Sequence, residues 1–284
     1  MKSVGAVVCC SSNADFFNCD IKDVEKRRAM LRDDLIEVLK ENNVDGAFIV
    51  RNMEDGRTVQ YNENKVVPSA SLIKMFIMIN AFERIREGSL WFDTEIPVEE
   101  SDIVDFSVLK FLKPRKYQLE ELLRLMIVYS DNTATNVLMD YFGMEDINGT
   151  IKRMGCDDTT MQRKMMDFEA AAAGKQNYTT AADVFSLMDR LYRGTLLGAG
   201  YDDGMLEIMQ GQSDEEMMRR YLPDEIQIAR KSGELEGLNH EIAIVSTEKL
   251  DYIYVFFTWG GTDCNQTRDI IAKTSKMVYD RFMA

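Results

Sequence analysis

Histidine is almost missing from this chain of 284 residues: His240 is the only one. A Ser-His-Asp or Cys-His catalytic system would have to use it, and a zinc site with several imidazole ligands is excluded. Cysteine is scarce as well. Cys9, Cys10, Cys19, Cys156 and Cys264 form no C-x-x-C pair, so thiolates at metal spacing are absent, and the odd number gives no disulfide framework. No metal and no cofactor is expected. Neither G-x-x-x-x-G-K-[ST] nor G-x-G-x-x-G occurs, so a nucleotide cradle has no support. No apolar run approaches the length of a membrane span. Positive charge is outweighed, 34 basic against 48 acidic residues, for a net charge of −14. Such a chain repels phosphate backbones, which argues against general nucleic-acid binding. The first residues, MKSVGAVVCCSS, make a poor signal peptide, and a cytoplasmic location fits slightly better than export. Residues 1–23 are expected to be a disordered segment.

What is present is a globular composition, 45% hydrophobic and 29% charged. Residues 24–41 have helical periodicity, with Met30, Leu31, Leu35, Ile36, Val38 and Leu39 on one face. Two short strands, 45–51 and 58–62, flank an Asp55-Gly56 turn. A helix should run from Ser71 to about Arg86 and end at Gly88. From about Ser101 to Leu222 helical patterns dominate, most clearly at 119–129, 133–142 and 180–192, the last capped by Thr179 or Thr180. Strands return at 227–232, 241–246 and 252–259, and an amphipathic helix closes the chain. The fold class read from this order is α/β and two-lobed. An antiparallel sheet with terminal helices (24–70 and 223–284) embraces an inserted, mainly helical lobe (71–222), all one domain. A cleft between the lobes is a natural site.

Three short motifs carry candidate chemistry. In SASLIKMF, Lys74 follows Ser71 by one turn, so on a helix the amine can reach the hydroxyl. A helix N-terminus favours developing negative charge, and a lysine heading a buried helix can lose its proton and serve as a base. The alternative is a capping serine and a lysine that reaches out to water. S-x-x-K also occurs at Ser107/Lys110 and Ser246/Lys249, and roughly one match is expected by chance, so the pattern alone decides nothing. Ser130-Asp131-Asn132 joins two helices; it either projects polar groups into a cleft or caps a helix. Lys231-Ser232-Gly233 ends a strand, where lysine and hydroxyl can bind a carboxylate and glycine admits a close backbone approach; otherwise it is a plain strand end. His240 follows where the chain turns, read as a structural turn residue with gating of the site edge as the alternative.

Taken together and in this order, S-x-x-K, S-D-N and K-S-G resemble the set of the class A β-lactamases and other penicillin-recognising serine hydrolases. The segment SDNTATNVLMDYFG is similar to that family's SDNTAANLLL. The resemblance runs from about Val24 to the C-terminus. It implies that Ser71 attacks a carbonyl and is acylated, with Lys74 helping to remove its proton. Ser130, assisted by Lys231, would relay a proton to the leaving nitrogen. Asn132 would hold a side-chain amide, and Lys231 with Ser232 a carboxylate. Backbone N–H groups of Ser71 and of Glu234, just past Gly233, would form the oxyanion hole. Asn136 would tie down a loop beneath the site.

One departure stands out. The family's R-x-E-x-x-[LN]-N loop carries the glutamate that activates the deacylating water. The matching stretch here runs from Arg163 to Glu169 and puts Met165 in that place, and a thioether is no base. Asp167 and Glu169 are read as solvated loop carboxylates, with one of them substituting for the missing glutamate in a re-folded loop as the alternative. The expectation is a serine acyl hydrolase acting on β-lactams or related amides and esters, with slow deacylation. The alternatives are a penicillin-binding protein that does not turn over and a small-ester carboxylesterase. Its partner would be a small-molecule substrate, and the chain a monomer.

Overall fold

A computed structural model describes residues 30–284; the expectation for residues 1–23 lies outside them. Residues 30–41 form helix α1. Strands β1 (Asp45–Asn52) and β2 (Thr58–Tyr61) follow as a hairpin. The chain then runs through β3 (Val67–Pro68), α2 (Lys74–Arg86), β4 (Glu95–Val98), β5 (Arg115–Gln118), α3 (Leu119–Val128), α4 (Asn132–Phe142) and α5 (Met144–Arg153). Next come α6 (Phe168–Ala172), β6 (Tyr178–Thr179), α7 (Ala181–Tyr192) and α8 (Ala199–Gln210). Strands β7 (Gln227–Leu235), β8 (Leu238–Ser246) and β9 (Asp251–Trp259) and helix α9 (Cys264–Met283) complete the fold.

The main sheet is antiparallel in the order β2-β1-β9-β8-β7. Both its faces are covered, so its strands are apolar on both sides rather than alternating with polar residues. In β9, Ile253, Val255 and Phe257 pack toward the helical lobe, while Tyr252, Tyr254 and Phe256 pack toward α1 and α9. The two-residue period of a strand distributes these side chains between two cores. The architecture is α/β and two-lobed, as the sequence pattern indicates.

In the helical lobe, α2 is the central rod. Every residue from Lys74 to Glu83 is buried, which a helix tolerates only when neighbours surround it. Its polar members find partners, Asn80 through its Nδ2 only. Asn80 Nδ2 donates to Asp146 and to Thr150, and Thr150 Oγ1 donates to Glu83 at 2.6 Å. Those contacts fix α5 against α2.

Several local expectations need correction. Strands β4 and β5 pair within the lobe read as mainly helical. Their exposed, charged sequence (EIPV and RKYQ) has only two inward side chains each or fewer, too little for an alternation signal. The β3–β6 pair is two residues long and invisible for the same reason. Ser71 lies in a 3-10 turn, Ala70–Ile73, and the α-helix proper begins at Lys74. Lys231-Ser232-Gly233 sits inside β7, which continues to Leu235, and His240 is inside β8 rather than in a turn. The turn is Glu236-Gly237, with Gly237 at φ +66°.

Candidate active site

The three motifs meet where the head of α2, the α3–α4 junction and β7 converge. Lys74 is fully buried, and its Nζ donates to the Ser130 carbonyl (2.6 Å), Ser130 Oγ (3.1 Å) and Asn132 Oδ1 (2.9 Å). Lys231, also fully buried, approaches from the sheet and donates to Ser130 Oγ (3.1 Å) and the Ser232 carbonyl (2.6 Å). Ser130 Oγ is thus held between two lysines. Among the described residues no hydrogen bond joins Lys74 Nζ to Ser71 Oγ. The simple picture of a lysine bonded to the serine one turn before it is therefore replaced by a lysine aimed at Ser130 and Asn132.

Two buried ammonium groups beside one hydroxyl cannot both remain comfortably charged. Burial, and then the Lys231 charge, push Lys74 well below the usual lysine range, against the pull of Asp131. Burial brings Lys231 down to about 7, with Glu241 and Asp214 opposing the fall and Arg230 adding to it. Burial thus favours the neutral amine at Lys74, the form that can accept a proton.

Gly233 explains how β7 reaches the serine. A Cβ built there would lie 3.1 Å from Ala70 Cβ and 3.2 Å from the Ser71 nitrogen, tighter than a side chain packs. Ala70 itself has φ +46°, and Ser130 (+52°), Phe106 (+55°) and Met166 (+60°) share the left-handed region. Non-glycine residues held there cost of order 1–3 kcal/mol each, and such strain clusters at functional sites. Asn43 and Asn62, in turns of the sheet lobe, are the other two such residues described; three of the six belong to segments that carry a motif or its matching loop. Phe106 joins them because its carbonyl accepts from the Asn132 nitrogen at 3.2 Å. Asn132 Nδ2 donates to the neighbouring Asp105 carbonyl (3.2 Å).

The S-D-N segment serves both readings at once. Asp131 caps α4 by accepting from the Ala134 nitrogen (2.8 Å), and it also accepts from the Val108 nitrogen and Ser107 Oγ. Ser107, set aside as a chance S-x-x-K match, is a buttress of this site. Its Lys110 turns away to Asp105. Nothing in the local sequence marks it, because its partner is 24 residues on. Ser246 ends β8 opposite Asp251 and takes no part.

The loop of residues 163–173 forms another wall. Asn136 clamps it by donating to the Met165 carbonyl (3.0 Å) and accepting from the Met165 nitrogen (2.8 Å). Asn177, nearly fully buried, accepts from the nitrogens of Gln162 and Arg163 and donates to the Arg163 carbonyl. Its own carbonyl accepts from the Ser69 nitrogen at 2.8 Å, linking the loop to the segment that carries Ser71. Met165 is partly buried against the helical core. Asp167 caps α6 through the Ala170 nitrogen, and Glu169 is exposed. Neither carboxylate bonds to Ser71, Lys74 or Ser130 among the described residues.

His240 stands opposite Gly233 in the sheet and stacks on Phe257 with ring centroids 4.2 Å apart. Its Nε2 lies 2.9 Å from the Pro68 carbonyl and its Nδ1 2.8 Å from the Asn239 carbonyl. A neutral imidazole donates to only one of them. Burial holds its pKa down to about 4 despite both carbonyls. It is a strut between the sheet and the segment leading to Ser71. Among the described residues no group of three or more His, Cys, Asp or Glu could hold a metal ion, and no helix is long and apolar enough to cross a membrane.

Comparison with known proteins points in one direction. A profile described as the beta-lactamase enzyme family matches residues 30–282. A beta-lactamase of Proteus vulgaris is 24% identical over 239 residues, 81% of this chain and 88% of that protein. The beta-lactamase regulatory protein BlaB of Streptomyces cacaoi is 26% identical over 148 residues, 51% of this chain and only 47% of its own. Among solved structures, an ancestral class A beta-lactamase superposes with a TM-score of 0.81 at 21% identity, covering 88% of this chain and 99% of that one. A mutant of PBP-A, solved as an acyl-enzyme complex with penicillin G, superposes with a TM-score of 0.81 at 23% identity, covering 90% of this chain and 97% of that one.

Proposed function

The chain belongs to the beta-lactamase enzyme family, and from that premise we propose that it is a serine acyl hydrolase whose acyl-enzyme forms readily at Ser71 and breaks down slowly. The observation that carries this reading is the pairing of Ser130 Oγ with both buried lysines. Lys74, held well below the usual lysine range by burial and the Lys231 charge, takes the Ser71 proton through the Ser130 hydroxyl as the serine attacks a carbonyl. Ser130 then passes a proton to the departing nitrogen or oxygen, and Lys231 keeps that hydroxyl oriented. The Ser71 and Glu234 backbone N–H groups receive the oxyanion, with Gly233 allowing the two strands of chain to close on it. Asn132 Nδ2 and Oδ1 orient the substrate's amide.

Slow breakdown follows from the loop wall. Met165, clamped by Asn136, offers no proton acceptor, Asp167 is engaged as a cap, and Glu169 is exposed. The penicillin-bound acyl-enzyme known for the PBP-A mutant is chemistry of the same kind on the same fold. Substrates are small β-lactams or related amides and esters. Intact-mass measurement after mixing with penicillin G tests the reading: one adduct per chain on the wild type and none on Ser71→Ala. Undiminished labelling of Ser71→Ala would remove Ser71 from its role.

A further inference from the structure

The motif reading gives Lys231 and Ser232 a substrate carboxylate to hold, yet the strand next to Ser232 places an acid beside it. In the β7–β8 register Ser232 stands directly opposite Glu241. Directly paired residues project to the same face, with Cβ atoms about 4.5–5.5 Å apart. Arg230, two residues before Ser232, shares that face. Glu241 is fully buried, and its Oε1 lies 3.7 Å from Arg230 Nη1, an ion pair too long for a good hydrogen bond. Arg230 Nη1 and both Glu241 oxygens are buried with no hydrogen bond of ordinary geometry. Gln212 bridges the group toward the substrate side: its Nε2 is 3.5 Å from Ser232 Oγ, and its carbonyl accepts from Arg230 Nη2 at 3.3 Å. With Glu215 and Arg219, Arg230 and Gln212 also line a cavity of about 260 Å³, room for several waters.

We propose that Glu241 is a specificity-determining residue that selects against substrates carrying a carboxylate at the Lys231/Ser232 subsite, by occupying the Arg230 cation that would otherwise attract it. The inference rests on acylation at Ser71. A buried, loosely paired acid next to a hydroxyl does not stabilise an incoming anion; it competes with it for the nearest buried cation. A neutral ester or amide meets no such competition. Other charged and titratable groups frame Glu241 without replacing Arg230. Lys231 lies on the opposite face of β7 and Asp214 in the loop after α8. Glu215 is 3.9 Å from Arg230, and Tyr254 lies on β9 and bonds to Thr274. Burial holds the Glu241 carboxyl up at about 7, so its anionic form, and with it the selection, strengthens as pH rises through neutrality.

Penicillin G and its methyl ester differ only in that carboxylate, and their acylation rates, read by intact mass at Ser71, give the test. Glu241→Gln should raise the penicillin-to-ester ratio about ten-fold at pH 8 and leave the ester rate within about two-fold. Arg230→Gln, which leaves Glu241 alone, should lower the ratio. The wild-type ratio should fall more steeply between pH 6 and 8 than that of Glu241→Gln, which retains only the Lys231 titration. Thermal melts identify any variant that does not fold; the other variant then carries the test. Ratios unchanged in a folded variant overturn the proposal while the acylation reading stands. Acylation by neither compound removes that reading, and the inference with it.

Discussion

The wall built from Lys74, Ser130, Asn132 and Lys231 carries side chains bonded to side chains, with both lysines displaced from their usual pKa range. The wall built from residues 163–173 has its backbone clamped by the side chains of Asn136 and Asn177, and its own side-chain bonds, Lys164 to Asp140 and Arg163 to Gln176, run away from Ser130 and the two lysines. On the proposed reading the first wall moves protons and the second keeps a shape: a loop can be firmly positioned and still contribute no base, and a candidate site is recognised by the titratable groups that converge on it, not by order alone. On the reading proposed above, a methionine in place of an acid in the second wall would separate forming an acyl-enzyme from clearing it.

The largest way to break the contrast is at the first wall. Lys74→Ala should slow acylation by ~10²–10⁴-fold, the usual contribution of a general base, while the decay of any adduct that does form stays within a few-fold. Stopped-flow acylation and mass-resolved decay measure the two separately. Equal losses in both would show that one group serves both steps.

A smaller effect is expected at the buttress. Ser107→Ala removes one hydroxyl donor from Asp131, which keeps three backbone donors, the Val108, Leu109 and Ala134 nitrogens. A stability loss of about 1–2 kcal/mol is expected, with acylation slowed no more than about ten-fold. Urea unfolding and labelling kinetics report these, and a variant identical to wild type in both would reduce Ser107 to the bystander that its motif context suggests.

The smallest effect concerns the strut. His240 is buried and neutral, with a folded pKa of about 4 against an ordinary 6.5. Between those values the unfolded chain binds the extra proton, so stability falls as pH falls from about 6.5 to 4, by at most about 3 kcal/mol. His240→Gln should flatten that part of the pH profile of urea midpoints. The same slope in the variant would assign it to other groups.

The sheet was readable because β1, β7, β8 and β9 are runs of β-branched and aromatic residues, and α2 because its apolar run is unbroken. Ser71, Lys74, Ser130, Lys231 and Ser232 were readable as three short motifs, and the structure brings them together. What could not be read depends on distant partners. Ser107 matters through Asp131, Asn177 through Ser69 and Arg163, and Glu241 through a strand register that only the assembled sheet sets. The 3-10 turn at Ser71 and the left-handed Ala70 lie where β7 comes close to that segment at Gly233, a contact between stretches distant in sequence. The pairs β3–β6 and β4–β5 are too short and too polar to leave a period.

The most direct test follows one adduct in two proteins. Wild type and Met165→Glu are each acylated with penicillin G, freed of excess ligand, and the mass of the Ser71 adduct is followed with time. Wild-type adduct should persist for minutes or longer. In Met165→Glu the decay should be faster by up to ~10²–10⁴-fold, the range of a general base, with acylation little changed. Rapid loss of the wild-type adduct, abolished by Asp167→Asn or Glu169→Gln, would contradict the account and give the second wall a working base.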